Sequence, residues 1–488
     1  MSLESARQAI PFGGIKYRLA LMAALTTVLL VSSPGFLSAR QSAGSETSQT
    51  PSAQSAPASA PSSQTQPHAP SPGPSQAPLA AVSKTRKLNC QHAANPGKRR
   101  FGCKDQNFDW EETLTADWNG VRSEAKNLGI TPSAAYYSAL QTNATGAPHQ
   151  VWGYTGQLTS ALDFNFDKLL KIPGMSLYVS ASWGTGSDLS ATINSVFPVN
   201  PNYAVGAYLG EVYLQQKFLQ DNLTLAAGHL AASYTFAGLP IFENYVSLAV
   251  NPTPVSLISN DLSFSGPPPG LEWGAQAVYN ITPVVQVAAG AFNTNPNSAI
   301  NGNVFALQQG NIGVLVTAQL SYLSNQGPND KGKQGQYTAG FFADNNSFAT
   351  LPNETSLTEG NAGVFVLGQQ LVYRPKDAGP YEGLTIWGAW AYSSKQIVNS
   401  MPLFGGAGLS YQGLFKKRSR DTINAACIYG KTSTFIPYAS AAKLFEANYQ
   451  WVAKRYLTLV PDFQYIWNPT GTNSTGAAVA GLQVNLTF

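Results

Sequence analysis

The sequence is poor in charged residues and in long apolar runs. Only 11% of its 488 residues are charged, well below the roughly 25% of an ordinary soluble protein. The mean hydropathy is nevertheless −0.11, because Asn, Gln, Ser, Thr and Gly take the place of charges. A net charge of +4 is too small to indicate a nucleic-acid partner. This balance favours walls with one apolar and one neutral polar face, as in a membrane barrel.

After residue 40, no stretch holds the roughly 18 consecutive apolar residues of a membrane-spanning helix. The one long apolar run, Leu19–Val31, follows Lys16 and Arg18 and precedes a series of small residues. This order predicts a secretory signal peptide over residues 1–39, cleaved after Ala39. An uncleaved anchor is the alternative, and the shortness of the run argues against it.

Cysteine is scarce as well, with three residues in the chain. Cys90 and Cys103 enclose a basic segment, and in an oxidising compartment they either form a disulfide or stay as free thiols. The predicted periplasmic segment 40–105 starts with Ser, Ala, Pro and Gln and has little to bury, so we expect disorder there. Its basic end is either a solvated charge run or a contact to cell-wall polymer or lipid head groups.

One helix is predicted within residues 106–130. Asp117 is a capping residue, and Gly129 suits the position after the helix end. Four residues at helical spacing form one apolar face: Trp118, Val121, Ala125 and Leu128. We expect this helix to seal the periplasmic mouth of a barrel or to pack on its rim.

From residue 131 to the end, apolar and polar residues alternate with the period of two that is typical of strands. The last strand has Leu482, Val484 and Leu486 on one face and ends at Phe488, as in many outer-membrane barrels. Long connections such as Asp188–Ala207 and Ala237–Pro268 alternate with short turns. The pattern predicts an all-β fold, a transmembrane antiparallel β-barrel over 131–488 with about 14–18 strands.

The charged strand residues predict which faces line the lumen. An ionised side chain at the centre of the bilayer costs up to a few kcal/mol, so faces that carry carboxylates should point inward. Alternation then gives the inward candidates: Glu211, Tyr213, Gln215, Glu272, Gln276, Gln286, Gln370, Arg374, Glu446, Asp462 and Gln464. Amides and carboxylates bind hydroxyl groups, and aromatic faces suit sugar rings. The mixture favours sugars over ions as permeants.

Five segments, in order, carry a resemblance to a known family. They are W-N-G-V-R-S-E-A-K-N-L-G-I (118–130), L-G-E-V-Y-L-Q-Q with L-T-L-A-A-G-H-L (209–216 and 223–230), G-Q-Q-L-V-Y-R-P (368–375), G-A-G-L-S-Y-Q-G-L-F (406–415) and L-T-L-V-P-D-F-Q-Y-I-W-N-P (457–469). The chain from Trp118 to Phe488 thus resembles the carbohydrate-selective porins of the bacterial outer membrane (OprB-type). The resemblance implies a sixteen-stranded barrel, narrowed by inward loops, that admits glucose-like sugars by passive diffusion.

One motif departs from this family. The family often has Gly-Arg-Leu where this chain has Gly228-His229-Leu230. His229 is therefore a further candidate for the lining of the channel, where it would replace a fixed charge with a group that titrates.

Catalysis is the competing class of function. A serine triad needs a His near a nucleophile, and His229 is the only one of four histidines on a predicted strand. No Gly-x-Ser-x-Gly motif and no metal-ligand spacing occurs. We predict no enzyme, no metal and no cofactor. The alternatives left open are a non-selective porin, a cell-wall-anchoring adhesin, and either a monomer or a homotrimer embedded in outer-membrane lipid.

Overall fold

The computed structural model describes residues 113–488, except 148, 201–204, 265–270, 295–312, 327–331, 355, 377 and 380. The predicted signal peptide, the leader and the Cys90–Cys103 pair lie outside these residues. None of the helices in the described ranges is long and apolar enough to cross a bilayer.

In the described part of the chain, sixteen strands form one closed antiparallel barrel. Their bounds are β1 Ile130–Asn143, β2 Trp152–Asn165, β3 Met175–Gly186, β4 Gly206–Phe218, β5 Leu223–Leu230, β6 Glu272–Thr282, β7 Val285–Thr294, β8 Gly313–Ser324, β9 Gly335–Ala349, β10 Leu357–Tyr373, β11 Gly383–Ser393, β12 Leu403–Gln412, β13 Thr422–Lys431, β14 Ala441–Lys454, β15 Leu457–Trp467 and β16 Ala477–Thr487. Each strand pairs with its sequence neighbours, and β16 also pairs with β1, from Ala135↔Thr487 to Asn143↔Val479. The predicted fold class, its sixteen strands and the closing role of the last strand are confirmed.

The two faces of the wall differ as the alternation predicts. On β13, Asn424, Ala426 and Ile428 are buried, whereas Cys427 and Tyr429 on the opposite face are exposed. The cross-strand partners Leu140 and Leu482 are 46% and 42% exposed. These outward apolar side chains form the surface that lipid would cover.

The short turns 219–222, 283–284 and 455–456 lie at one end of the barrel, together with the beginning of β1 and the end of β16. Short turns mark the periplasmic end of outer-membrane barrels. The long connections 187–205 and 231–271 leave the opposite, outer end. The connection between β9 and β10 at this end is short, because β9 extends to Ala349 and β10 begins at Leu357.

The predicted helix is present as α1 (Val121–Leu128), after a 3-10 turn at Trp118–Gly120. Gly129 follows it with a φ of 103°, as expected for the residue after a helix. The Oδ1 atom of Asp117 accepts hydrogen bonds from Ser123 N (2.8 Å) and Oγ (2.9 Å). Gly120 nevertheless occupies the N-cap position, so Asp117 satisfies an amide of the first turn from outside the helix.

The helix packs on the rim of the barrel, and its apolar face does not seal the mouth. Trp118, Val121 and Leu128 are each more than 40% exposed, and Arg122 is the buried residue of the helix. Arg122 donates hydrogen bonds to the carbonyl oxygens of Phe488 (2.6 Å) and Pro132 (3.2 Å). A buried guanidinium thus ties the helix to both strands of the closing seam.

Candidate functional site

Two outer connections fold back into the barrel and form its apolar core. The long inward loop is defined here as residues 231–264 and contains α4 (Val255–Asn260) and three 3-10 turns; the short inward loop is residues 187–200 and contains α3 (Leu189–Thr192), which follows the short periplasmic helix α2 (Phe166–Leu170). Phe236, Phe242 and Leu248 of the long inward loop are fully buried. The hydrophobic effect drives these side chains out of water, so this connection folds into the barrel, as the family resemblance implies.

Amide side chains of the wall hold the backbone of the long inward loop. Gln319 of β8 accepts from Ala237 N (3.0 Å) and donates to Thr235 O (3.1 Å). Gln369 of β10 accepts from Ile241 N at 3.1 Å. Irregular backbone inside a barrel needs such partners, because buried peptide groups are costly when they are unpaired.

Glu446 of β14 is the strongest of these anchors. Its Oε1 accepts from Val246 N at 2.6 Å and its Oε2 from Ser247 N at 3.3 Å. Asn448 Nδ2 donates to the same Oε1 at 3.0 Å. Glu446 is 0% exposed, so this predicted lumen residue faces inward but lies beneath the loop.

Gln464 of β15 holds the short inward loop by donating to its backbone, and Asp462 accepts from the same amide group. Gln464 Nε2 donates to Val199 O and to Asp462 Oδ2, both at 2.7 Å. Gln141 of β1 donates to the same two acceptors at 3.1 and 3.3 Å. It reaches Asp462 across Gly481, where an added Cβ would lie 2.3 Å from Gln141 Cγ, so only glycine leaves the necessary space.

The two inward loops also contact each other. Leu248 N donates to Pro198 O at 3.1 Å, and Ser247 Oγ donates to the same oxygen at 2.7 Å. Glu446 and Asp462 therefore sit below a joined pair of loops. Their inward orientation agrees with the sequence reading, but burial removes them from the channel surface.

The other predicted lumen residues are six that face inward, two at the end of β10, and His229. Cross-strand pairing places six of them on the inward face: Glu211, Tyr213, Gln215, Glu272, Gln276 and Gln286. Glu211 is buried and accepts from Ala231 N at 3.1 Å, so it holds the start of the long inward loop. Gln286 donates to Asn280 Oδ1 at 2.9 Å.

Two predicted lumen residues belong to the end of β10. Arg374 lies just beyond the periplasmic end of this strand. The prediction that Gln370 faces inward is wrong. Gln370 pairs with the exposed Ile386, whereas Gln369 pairs with the buried Trp387. A β-bulge between Leu371 and Tyr373 inserts one residue and reverses the alternation. Strict alternation counted back from Arg374 therefore predicts Gln370 as the inward residue, whereas the structure has Gln369 facing the lumen.

The prediction that His229 lines the channel is also wrong. It pairs with Val212 on β4 and with Trp273 on β6, and both belong to the outward face. Its ring is 5% exposed and lies 5.8 Å from the Trp273 ring. His229 is therefore a buried residue of the outer wall and does not line the lumen.

A family model supports the barrel reading independently of this geometry. Residues 149–488 match the model described as "Carbohydrate-selective porin, OprB family". The chain belongs to this family. It is a carbohydrate-selective porin of the outer membrane, and the match includes the strands that anchor both inward loops.

Individual relatives of this porin are distant in sequence. It is 20% identical to Porin B of Pseudomonas aeruginosa over 421 residues. This alignment covers 77% of this chain and 91% of Porin B. A high-pH structure of Pseudomonas putida OprB is 21% identical with a TM-score of 0.70, covering 78% and 99% of the two chains. A low-pH structure of the same protein is 17% identical with a TM-score of 0.52, covering 77% and 98%. These two likenesses concern the fold.

The porin also has inward aromatic residues that the sequence reading missed. Cross-strand pairing places Tyr137 of β1, Tyr178 of β3 and Tyr208 of β4 on the face that Tyr213 shares. The rings of Tyr178 and Tyr213 stack at 5.2 Å. β1 and β3 contain no charged residue, so no carboxylate identified the inward face of either strand. Pairing with the charged strand β2 would have identified it.

Proposed function

We propose that this porin conducts small neutral sugars by passive diffusion between the long inward loop and the wall formed by β1–β4. The inward tyrosines on this wall are the observation that carries the proposal. Glu243 of the loop is exposed and is close enough to Tyr137 to act on it electrostatically, so the loop and this wall face each other here. The proposed setting is the outer membrane of a Gram-negative bacterium.

The chemistry of this wall suits sugars. A tyrosine ring offers an apolar face to the C–H face of a sugar, and its hydroxyl both donates and accepts hydrogen bonds. Tyr208 already donates to Gln157 Oε1 at 3.0 Å, which orients its ring beside an amide. Weak and repeated contacts of this kind allow entry without preventing exit.

Burial of the strand carboxylates supports neutral permeants. Glu446 and Asp462 are occupied by amide donors beneath the loops, so their charges do not face the proposed path. Apart from Glu243 of the loop and Asp163 of β2, the path is lined mainly by phenols and amides, which give it little fixed charge with which to select ions. We therefore expect sugars to pass more readily than charged solutes of similar size.

Liposome swelling tests this proposal directly. The mature protein is reconstituted, and swelling rates are compared for glucose, a disaccharide and a charged solute of similar size. We expect glucose to enter fastest. Equal entry of all three solutes would favour a non-selective porin, and no swelling would contradict conduction altogether.

Two neighbouring tyrosines provide a matched pair of variants. Tyr137→Leu removes an inward ring, whereas Tyr136→Leu removes its outward neighbour, which pairs with Leu486 and Leu158. We expect the glucose swelling rate to change in Tyr137→Leu only. Equal effects of the two substitutions would show that the β1–β4 wall is not the sugar path.

Export through a cleaved signal peptide also remains a proposal. The charge and apolar pattern of residues 1–39 supports it. Mass spectrometry of the protein isolated from outer membranes is expected to find Arg40 at the N-terminus. Retention of the Leu19–Val31 segment would instead support an anchor.

A further inference from the structure

Two pairs of carboxyl groups lie where the long inward loop meets the wall. Glu446 and Asp462, on neighbouring strands, are 0% and 6% exposed; Asp261 of the loop and Asp344 of β9 are 3% and 4% exposed. In each pair the two carboxyl groups are close enough to act on each other electrostatically. A hydrogen bond between two carboxyl groups requires a proton on one of them.

The first pair is surrounded by amide donors. Glu446 accepts from two loop amides and from Asn448, and Asp462 Oδ2 accepts from Gln141 and Gln464. Asp462 Oδ1 is buried and has no other partner. In the described part of the chain, the side chains that donate hydrogen bonds to these two carboxyls are amides, and none is a lysine or an arginine.

The second pair has the same character at the other end of the loop. Asp261 Oδ1 accepts from Ser263 N at 3.0 Å, and Asp344 Oδ1 accepts from Asn346 N at 2.7 Å and from Thr294 Oγ1 at 3.2 Å. Asp261 Oδ2 is buried without another partner. Burial, and then the neighbouring Asp344, raise the pKa of Asp261 to about 8.

Two carboxylates in contact cannot both ionise in a buried site that has no cation, because their repulsion adds to the cost of desolvation. One shared proton turns the repulsion into a hydrogen bond. We propose that these two acid pairs are positioning elements which hold the long inward loop against the wall, so that alkaline pH releases the loop and widens the channel. The proposal concerns the position of the loop and stands apart from the preference for sugars.

The direction of the pH effect follows from the second pair. The pKa of Asp261 in the folded chain is about 8, above its ordinary value of 3.8. A carboxyl group with a raised pKa contributes a stability that is complete below its ordinary value of 3.8 and is lost progressively as pH rises to the raised value of about 8. We therefore expect the loop to be held at about pH 6 and loosened at about pH 9.

The variants Asp462→Asn and Asp261→Asn test the shared protons. In each, the new amide nitrogen donates permanently to the partner carboxylate, and the remaining oxygen keeps the acceptor role toward Gln464 or Ser263. Wild-type protein is expected to admit a trisaccharide faster at about pH 9 than at about pH 6. The double variant is expected to lose this increase.

Asp167→Asn is the control. Asp167 of the periplasmic helix α2 is exposed, so it lies apart from the long inward loop and belongs to neither pair. It should retain the wild-type pH response. A neutral sugar is used so that a change in the charge of the channel does not by itself alter the measured rate of entry.

Hydrogen–deuterium exchange on the wild-type barrel gives a second measurement that needs no variant. After correction for the intrinsic rate, the amides of Val246 and Ser247 are expected to lose protection at alkaline pH. Unchanged protection and unchanged trisaccharide entry would overturn the proposal, and so would a pH response that persists in the double variant. A barrel that failed to select sugars would contradict the proposed function but leave this exchange result intact.

Discussion

The indole nitrogen of Trp387 donates a 2.7 Å hydrogen bond to the hydroxyl of Tyr245. The single proton of the same hydroxyl is shared between the carbonyl oxygens of Leu409 and Ala425, which lie 3.0 and 3.1 Å from the hydroxyl oxygen. One loop side chain is thereby bonded to three adjacent strands of the wall. Burial raises the pKa of the Tyr245 phenol, so the hydroxyl keeps its proton and remains a donor.

Tyr245→Phe should loosen the long inward loop. The substitution leaves the Trp387 donor and two wall carbonyls without their partner, and an unsatisfied buried polar group costs about 1–3 kcal/mol. Trp387→Phe removes one donor and should have a smaller effect. Single-channel recordings are expected to show larger current fluctuations in Tyr245→Phe, whereas Trp390→Phe, on the outward face of the same strand, should resemble wild type. Currents as quiet as wild type in Tyr245→Phe would contradict the anchoring role.

Gln369 and Gln370 form a matched pair on opposite faces. Gln369→Leu removes the acceptor of Ile241 N, so we expect altered glucose entry and a loss of about 1–3 kcal/mol in loop stability. Gln370→Leu removes a contact to the Tyr337 hydroxyl at the periplasmic end and should leave glucose entry unchanged. Swelling assays compare the two variants. The reverse order would mean that the β10 register is wrong.

Arg122→Gln should weaken the closing seam of the barrel. Arg122 bonds to the carbonyl oxygen of Phe488 and to that of Pro132, and hydrogen bonds of a charged group contribute about 1.5–3 kcal/mol. We expect unfolding at a lower temperature, measured by the change in gel mobility on heating. Lys126→Gln, on the exposed face of α1, is the control. Equal melting of both variants would indicate that the helix does not stabilise the barrel.

The alternation of residues along each strand predicted most of the inward face of the wall. Period two is a property of the strand itself, so most inward candidates, including Glu211, Gln276 and Gln464, were placed on the correct face. The inward prediction for Gln370 was wrong because a single bulge in β10 reverses the alternation. The residue type at the bulge gives no signal of it in the sequence. His229 failed because its assignment followed a family motif and not the pairing of its own strand.

The sequence by itself determined the class of protein: an antiparallel barrel of about 14–18 strands by its length, sixteen by the family resemblance, with a closing strand near Phe488 and an apolar outer wall. These features depend on neighbouring residues and on strand count. The tertiary structure alone decided which inward residues reach the lumen. Glu446 and the amide of Val246 are 200 residues apart in the chain, and only the inward fold of a long loop brings them together. That fold turns predicted pore carboxylates into buried anchors and leaves the tyrosines of β1–β4 facing the proposed path.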